Sequence, residues 1–226
     1  MTMSPYLILL RNRIDITRVP FSDRGSRLMV FKDERPDRLF IKLAERMIEL
    51  QPDVEAYLRR PPFVSDLCLV DEAGAPIDFE LEVSPQIVRM HTRLGEFGAA
   101  FQDSRTLAFG LPPNVTAGLR FHFSPHYWEK TERGGAYKSV RDLAYATNGR
   151  VVRNEIQADT GGNSIEFVVE ANDDCTITLA IGKDVQAHHQ ALPFSAVVAA
   201  AETRWHDWFS RVPPVTERYR RTYAYA

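Results

Sequence analysis

Only two cysteines occur in 226 residues, no long apolar run is present, and neither sign of charge dominates. Each shortage excludes something. Cys68 and Cys175 lie far apart on apolar, strand-like segments, which argues against a disulfide framework and for two buried thiols in a reducing compartment. The cytoplasm is therefore the expected location. The first residues hold an apolar core of only Tyr6 to Leu10, too short for a signal peptide or a membrane span. A formal charge of −2 leaves no basic surplus to neutralise a phosphate backbone, so nucleic acid is not an expected partner.

Chemical signatures are also scarce. No serine stands in a Gly-x-Ser-x-Gly elbow, and no glycine-rich loop follows a strand to open a helix. His122 and His126 are four apart off any helix, and the adjacent His188 and His189 diverge on most backbones, with no cysteine cluster nearby. No metal and no cofactor is implied. Carboxylate pairs such as Glu80 and Glu82, or Asp173 and Asp174, read as solvated faces. A glycosidase pair is defined by separation in space, which spacing in sequence cannot supply.

What is present is a period of two. Ile77, Phe79, Leu81 and Val83 alternate with polar residues, as do Leu119, Phe121, Phe123, then Ile165, Phe167, Val169, and finally Cys175, Ile177, Leu179, Ile181. Strand side chains point to opposite faces in turn, so each segment buries one face. Glu72 to Pro76 reads as a turn, and Arg38–Leu43 as a strand in preference to a helix. Asn148-Gly149, Thr160 to Asn163 and Asn172 to Asp174 read as three hairpin turns, which predicts a four-stranded antiparallel meander from Arg141 to Ile181. The fold class expected is all-β, an antiparallel β-sandwich.

The period changes at Pro193. Phe194, Val197, Val198, Ala201, Trp205, Trp208 and Phe209 share a helical face, and the helix ends before Pro213-Pro214. Burying its two indoles and phenyl is worth several kcal/mol at about 25 cal/mol per Å². Such a stripe packs on its own sandwich or serves as an association surface. Glu217 to Ala226 begins a second helical pattern, with Tyr219 and Tyr223 four apart and no terminal cap. This predicts a helix that continues in a longer parent chain. The expected division is a sandwich over 1–190, a linker helix over 191–212, and the start of a helical domain over 213–226.

Pro20-Phe21-Ser22-Asp23-Arg24-Gly25-Ser26-Arg27, Arg60-Pro61-Pro62-Phe63, and Trp205-His206-Asp207-Trp208 followed by Val212-Pro213-Pro214 carry a resemblance. In this order they are similar to the front of bacterial six-hairpin glycosidases, the glucoamylase-, α-glucosidase- and debranching-like hydrolases. The resemblance implies a galactose-mutarotase-like supersandwich ahead of an (α/α)6 catalytic barrel in the same parent chain. Catalytic carboxylates would lie on that barrel, so none is assigned here. The implied role is a non-catalytic accessory domain of an enzyme that acts on α-glycosidic bonds.

Three groups remain as candidate sites. Asp23, Arg24 and Arg27 form either a loop facing a sugar cleft or an ion-paired corner. Tyr127, Trp128 and Tyr137 offer flat rings on which a pyranose could stack, or simply fill the core. Trp205, Trp208, Phe209, Tyr219 and Tyr223 are candidates for interdomain packing. Two rival functions follow: an autonomous carbohydrate-binding module, and a mutarotase-type enzyme using His91, His122 and Glu82.

Overall fold

The computed structural model describes residues 5–43, 62–123, 128–137, 143–159, 162–181, 190–213 and 215–220. Strands dominate. The six-stranded sheet has the order β1-β2-β3-β8-β13-β12 and the eight-stranded sheet β4-β5-β6-β7-β14-β11-β10-β9. The first contains β1 (Leu28–Lys32), β2 (Leu39–Leu43), β3 (Val64–Asp71), β8 (Thr116–Phe123), β12 (Arg150–Asp159) and β13 (Gly162–Glu170). The second contains β4 (Glu80–Ser84), β5 (Ile87–Thr92), β6 (Gly95–Asp103), β7 (Thr106–Gly110) and β9 (Trp128–Thr131). It is completed by β10 (Gly134–Tyr137), β11 (Leu143–Thr147) and β14 (Thr176–Ile181). Neighbours pair antiparallel, and the chain is an all-β sandwich.

The core lies between the layers, where the alternating sequences place it. Leu119, Phe121 and Phe123 meet Ile165, Phe167 and Val169 from one sheet, and Ile177, Leu179 and Ile181 from the other. Tyr145 stands at the centre, edge-on to Phe121 and Phe167. Its hydroxyl donates to Asn154 Oδ1 at 2.7 Å, and Asn154 Nδ2 donates to Gly134 O, so the buried phenol is satisfied. Burial raises its pKa far above the ordinary phenol range. Cys68 and Cys175 are buried free thiols, both pushed up by desolvation.

The expected meander is not what forms. β12 and β13 do pair as a hairpin, but β11 pairs with β14 in the opposite layer. Asn148-Gly149 and Asn172 to Asp174 therefore carry the chain between layers. Neither Asn148 nor Gly149 takes the positive φ that a type I′ turn needs. Instead the Asn148 side chain donates to Asp174 O and accepts from Thr176 N, pinning both crossings together. A side-chain amide that can imitate a strand neighbour outcompetes the local turn. The Glu72–Pro76 turn forms as expected: Asp71 accepts from the backbone N–H of Ala73 and Ala75, with Gly74 at φ 83°.

Helix α1 (Pro5–Leu10) buries Tyr6, Leu7 and Leu10. Helix α2 (Phe194–Ser210) follows Pro193, and residues 217–220 turn helical again. Among the described residues no helix is long and apolar enough to cross a membrane.

Candidate functional site

Helix α2 lies on the outer face of the eight-stranded sheet, across β6 and β7. Small residues seat it there. Gly98 pairs with Gly110 and Ala100 with Ala108 across the two strands, which makes a shallow trough. The Phe194 ring fills the glycine end so closely that a Cβ on Gly110 would lie 2.2 Å from it. Val197 packs on Ala100 and Ala108. At the start of the helix, Asp174 accepts hydrogen bonds from the Ser195 backbone N–H at 2.9 Å and from its hydroxyl. A carboxylate from the inter-sheet crossing thus caps the positive end of α2, a role Pro193 cannot fill.

Arg204 fastens the other half of the helix. Its Nη1 and Nη2 donate to the carbonyls of Gln102 and Phe101, and its Nε lies 3.4 Å from Asp23 Oδ2. The Asp23 side chain is only 1% exposed and is also met by Arg24 at 3.2 Å. The corner around it is built locally. Arg24 and Gly25 take φ of 52° and 77°, Asp23 N donates to Ser26 Oγ, and Ser26 Oγ donates to Leu28 O. Asp23 and Arg24 are thus brought together with Arg204, whereas Arg27 is exposed without an ion-pair partner among the described residues. Sequence reasoning missed Arg204, which stands among Glu202, Thr203, His206 and Asp207 off the apolar stripe, so no local signal singles it out.

The helical face does not behave uniformly. Val197 and Ala201 are sealed, but Trp205 and Phe209 are half-buried and Trp208 is 48% exposed. Packing on the sandwich therefore accounts for the first half of the stripe and not for its end. Phe209 stacks between Trp205 and Tyr6 of α1, with ring centres 5.6 and 5.2 Å away. Between this aromatic ladder, the 13–22 loop and the Val212-Pro213 exit lies an open apolar cleft of about 820 Å³. Its walls include Leu10, Val19, Pro20, Pro85, Trp208 and Val212, with Arg13 and Arg211 as the charged residues of the lining among those described. Among the described residues no carboxylate or amide side chain contributes.

Other candidates are less convergent. Trp128 stands opposite Tyr137 in the β9–β10 register, at one edge of the eight-stranded sheet. Tyr127 and Tyr223 lie outside the described residues, as do His126, His188 and His189. Tyr219 is 57% exposed. Glu82 approaches Arg11, Arg89 and His91 on the surface, at 3.0, 3.6 and 3.8 Å. His122 lies in the other sheet beside Ser65, so the trio a mutarotase would need is not assembled. Among the described residues no three His, Cys, Asp or Glu side chains group as metal ligands.

No protein-family model and no curated protein matches the sequence. Solved structures do share its fold. A family GH92 inverting mannosidase from Bacteroides thetaiotaomicron VPI-5482 superposes with a TM-score of 0.58 at 10% identity, over 92% of this chain and 35% of that one. A family GH92 α-mannosidase from Bacteroides thetaiotaomicron gives 0.55 at 10% identity, over 98% and 40%. The same enzyme in complex with mannoimidazole gives 0.51, again at 10% identity, over 98% and 38%. The chain thus spans well under half the length of these neighbours, and what it shares with them is the fold of a β-sandwich portion of glycoside hydrolase chains.

Proposed function

We propose that this chain is the non-catalytic β-sandwich accessory domain of a glycoside hydrolase acting on α-glycosidic bonds. The observation that carries this reading is the superposition of nearly the whole chain on 35–40% of family GH92 mannosidase chains. Its task is to support a helical catalytic domain and to shape the substrate entrance. The end of α2 is the docking face, because its aromatic ladder remains open after the sandwich has been packed. The partner we infer is an (α/α)6 barrel of the six-hairpin type in the same parent chain. Hydrolytic carboxylates belong to that partner.

Incubating the purified chain with 4-nitrophenyl α-mannoside and α-glucoside tests the reading. No release of nitrophenol above buffer is expected. Turnover that survives repurification and disappears with a single carboxylate substitution in this chain would overturn it. A second reading, an autonomous carbohydrate-binding module, is favoured by the Trp128–Tyr137 register pair at a sheet edge. It requires heat on titration with malto-oligosaccharides or mannosides, and loss of that heat in Trp128→Ala. Flat titrations remove it.

A further inference from the structure

We infer that the apolar cleft beside α2 takes a helical segment of the partner domain proposed above, one whose apolar face is flanked by carboxylates, and that Arg13 and Arg211 select that charge. The inference deepens the docking reading above and rests on it. Room comes first. A cleft of about 820 Å³ with apolar walls holds several aliphatic or aromatic side chains. The walls are unfinished, with Val19 52% and Trp208 48% exposed. Tryptophan and arginine beside each other are also the residue types that dominate interface energetics.

Charge narrows the occupant. Many other arginines of this chain are engaged: Arg24 and Arg204 with Asp23, Arg120 and Arg153 with Glu166, Arg35 with Asp33 and Asp66. Arg13 and Arg211 line the cleft and have neither an ion pair nor a side-chain hydrogen bond among the described residues. Asp23, the buried acid among the described residues, is already matched by Arg24 and Arg204 and does not compete for them. An occupant that brings carboxylates satisfies both guanidiniums, and one that brings lysines meets them as like charges.

The same feature argues against other occupants. A two-fold dimer through this face would confront Arg13 and Arg211 with their own copies. Among its described residues the lining offers a pyranose two guanidiniums and the Ser22 hydroxyl, but no carboxylate or amide to accept from the sugar's own hydroxyls.

Two synthetic helical peptides test this, sharing one leucine- and phenylalanine-rich face that is flanked by glutamate in one and by lysine in the other. Each is titrated into the full chain and followed by tryptophan fluorescence at low salt. The glutamate peptide should bind about tenfold tighter, a preference that added salt erodes. The double variant Arg13→Glu with Arg211→Glu should reverse the preference with an unchanged circular dichroism spectrum, and Trp208→Ala should weaken both peptides. Equal affinity for the two peptides, or binding unaltered in Trp208→Ala, overturns the inference and leaves docking as such standing. Failure of both peptides up to about 1 mM overturns docking at this face as well. Dimerisation of the free chain in sedimentation velocity, lost in Trp208→Ala, overturns it in favour of a second copy.

Discussion

Removing Arg204 should loosen α2 from the sandwich at a cost that follows from its three contacts. Arg204→Ala deletes a guanidinium that donates to Phe101 O and Gln102 O and sits 3.4 Å from Asp23. Hydrogen bonds from a charged donor are each worth about 1.5–3 kcal/mol when partly buried. Breaking one side of a buried pair costs about 3–5 kcal/mol where no other cation remains. Here Arg24 still holds Asp23, and the Arg204 side chain is 22% exposed, so screening and water recover part of the loss. A net destabilisation of about 2–4 kcal/mol is expected. For a chain of this size that lowers Tm by roughly 4–16 °C. Asp23→Asn alone should cost less, and the double variant should fall short of the sum by about 1 kcal/mol or more, because the two residues share a contact. Thermal melts followed by near-ultraviolet circular dichroism give all three values. Full additivity, or a Tm drop under about 2 °C for Arg204→Ala, would show that the guanidinium is not what holds the helix.

Three further outcomes are expected. Gly110→Val would drive a side chain into the Phe194 ring, so the helix must lift or the strand must shift, at about 1–3 kcal/mol in urea denaturation. An unchanged urea midpoint would contradict the close seating of α2. Asp71 is held below the ordinary carboxylate range by the Ala75 backbone N–H first and then by Arg93. Its contribution is thus complete above about pH 4 and fades as pH falls through the lowered folded value, so Asp71→Asn should flatten the loss of urea resistance on acidification. Parallel pH profiles for the two proteins would refute this. Finally, both thiols should resist Ellman's reagent at pH 8 in the native chain and react fully in denaturant, since burial raises each of them.

How much of this was legible in the sequence varies by distance along the chain. Alternation at Leu119 to Phe123 and Ile165 to Val169 identifies core-facing strands, because burial of one face is a local property, whereas at Ile77 to Val83 only Glu80–Ser84 pairs as a strand and β14 is buried on both faces. Helix α2 was equally plain. Pairing was not. Asn148-Gly149 carries a hairpin signal, yet its amide bonds to Asp174 and Thr176, residues over twenty positions away. A short-range turn preference of this kind yields to long-range satisfaction of buried backbone. The site was legible in its aromatic half only. Trp205, Trp208 and Phe209 stood out by periodicity, whereas Arg204, Asp174 and the Gly98–Gly110 trough act through partners distant in sequence.

The crossings between layers have a bearing on synthesis. β14 is a central plank of its sheet, with β7 on one side and β11 on the other, and β13 occupies the same kind of place between β8 and β12. While the polypeptide is still emerging from the ribosome, β7 and β11 have an empty lane between them until Ile181 has been made. Both halves of the sandwich are thus finished almost together, and a nascent chain stopped short of that point would present open sheet edges to whatever chaperones are at hand.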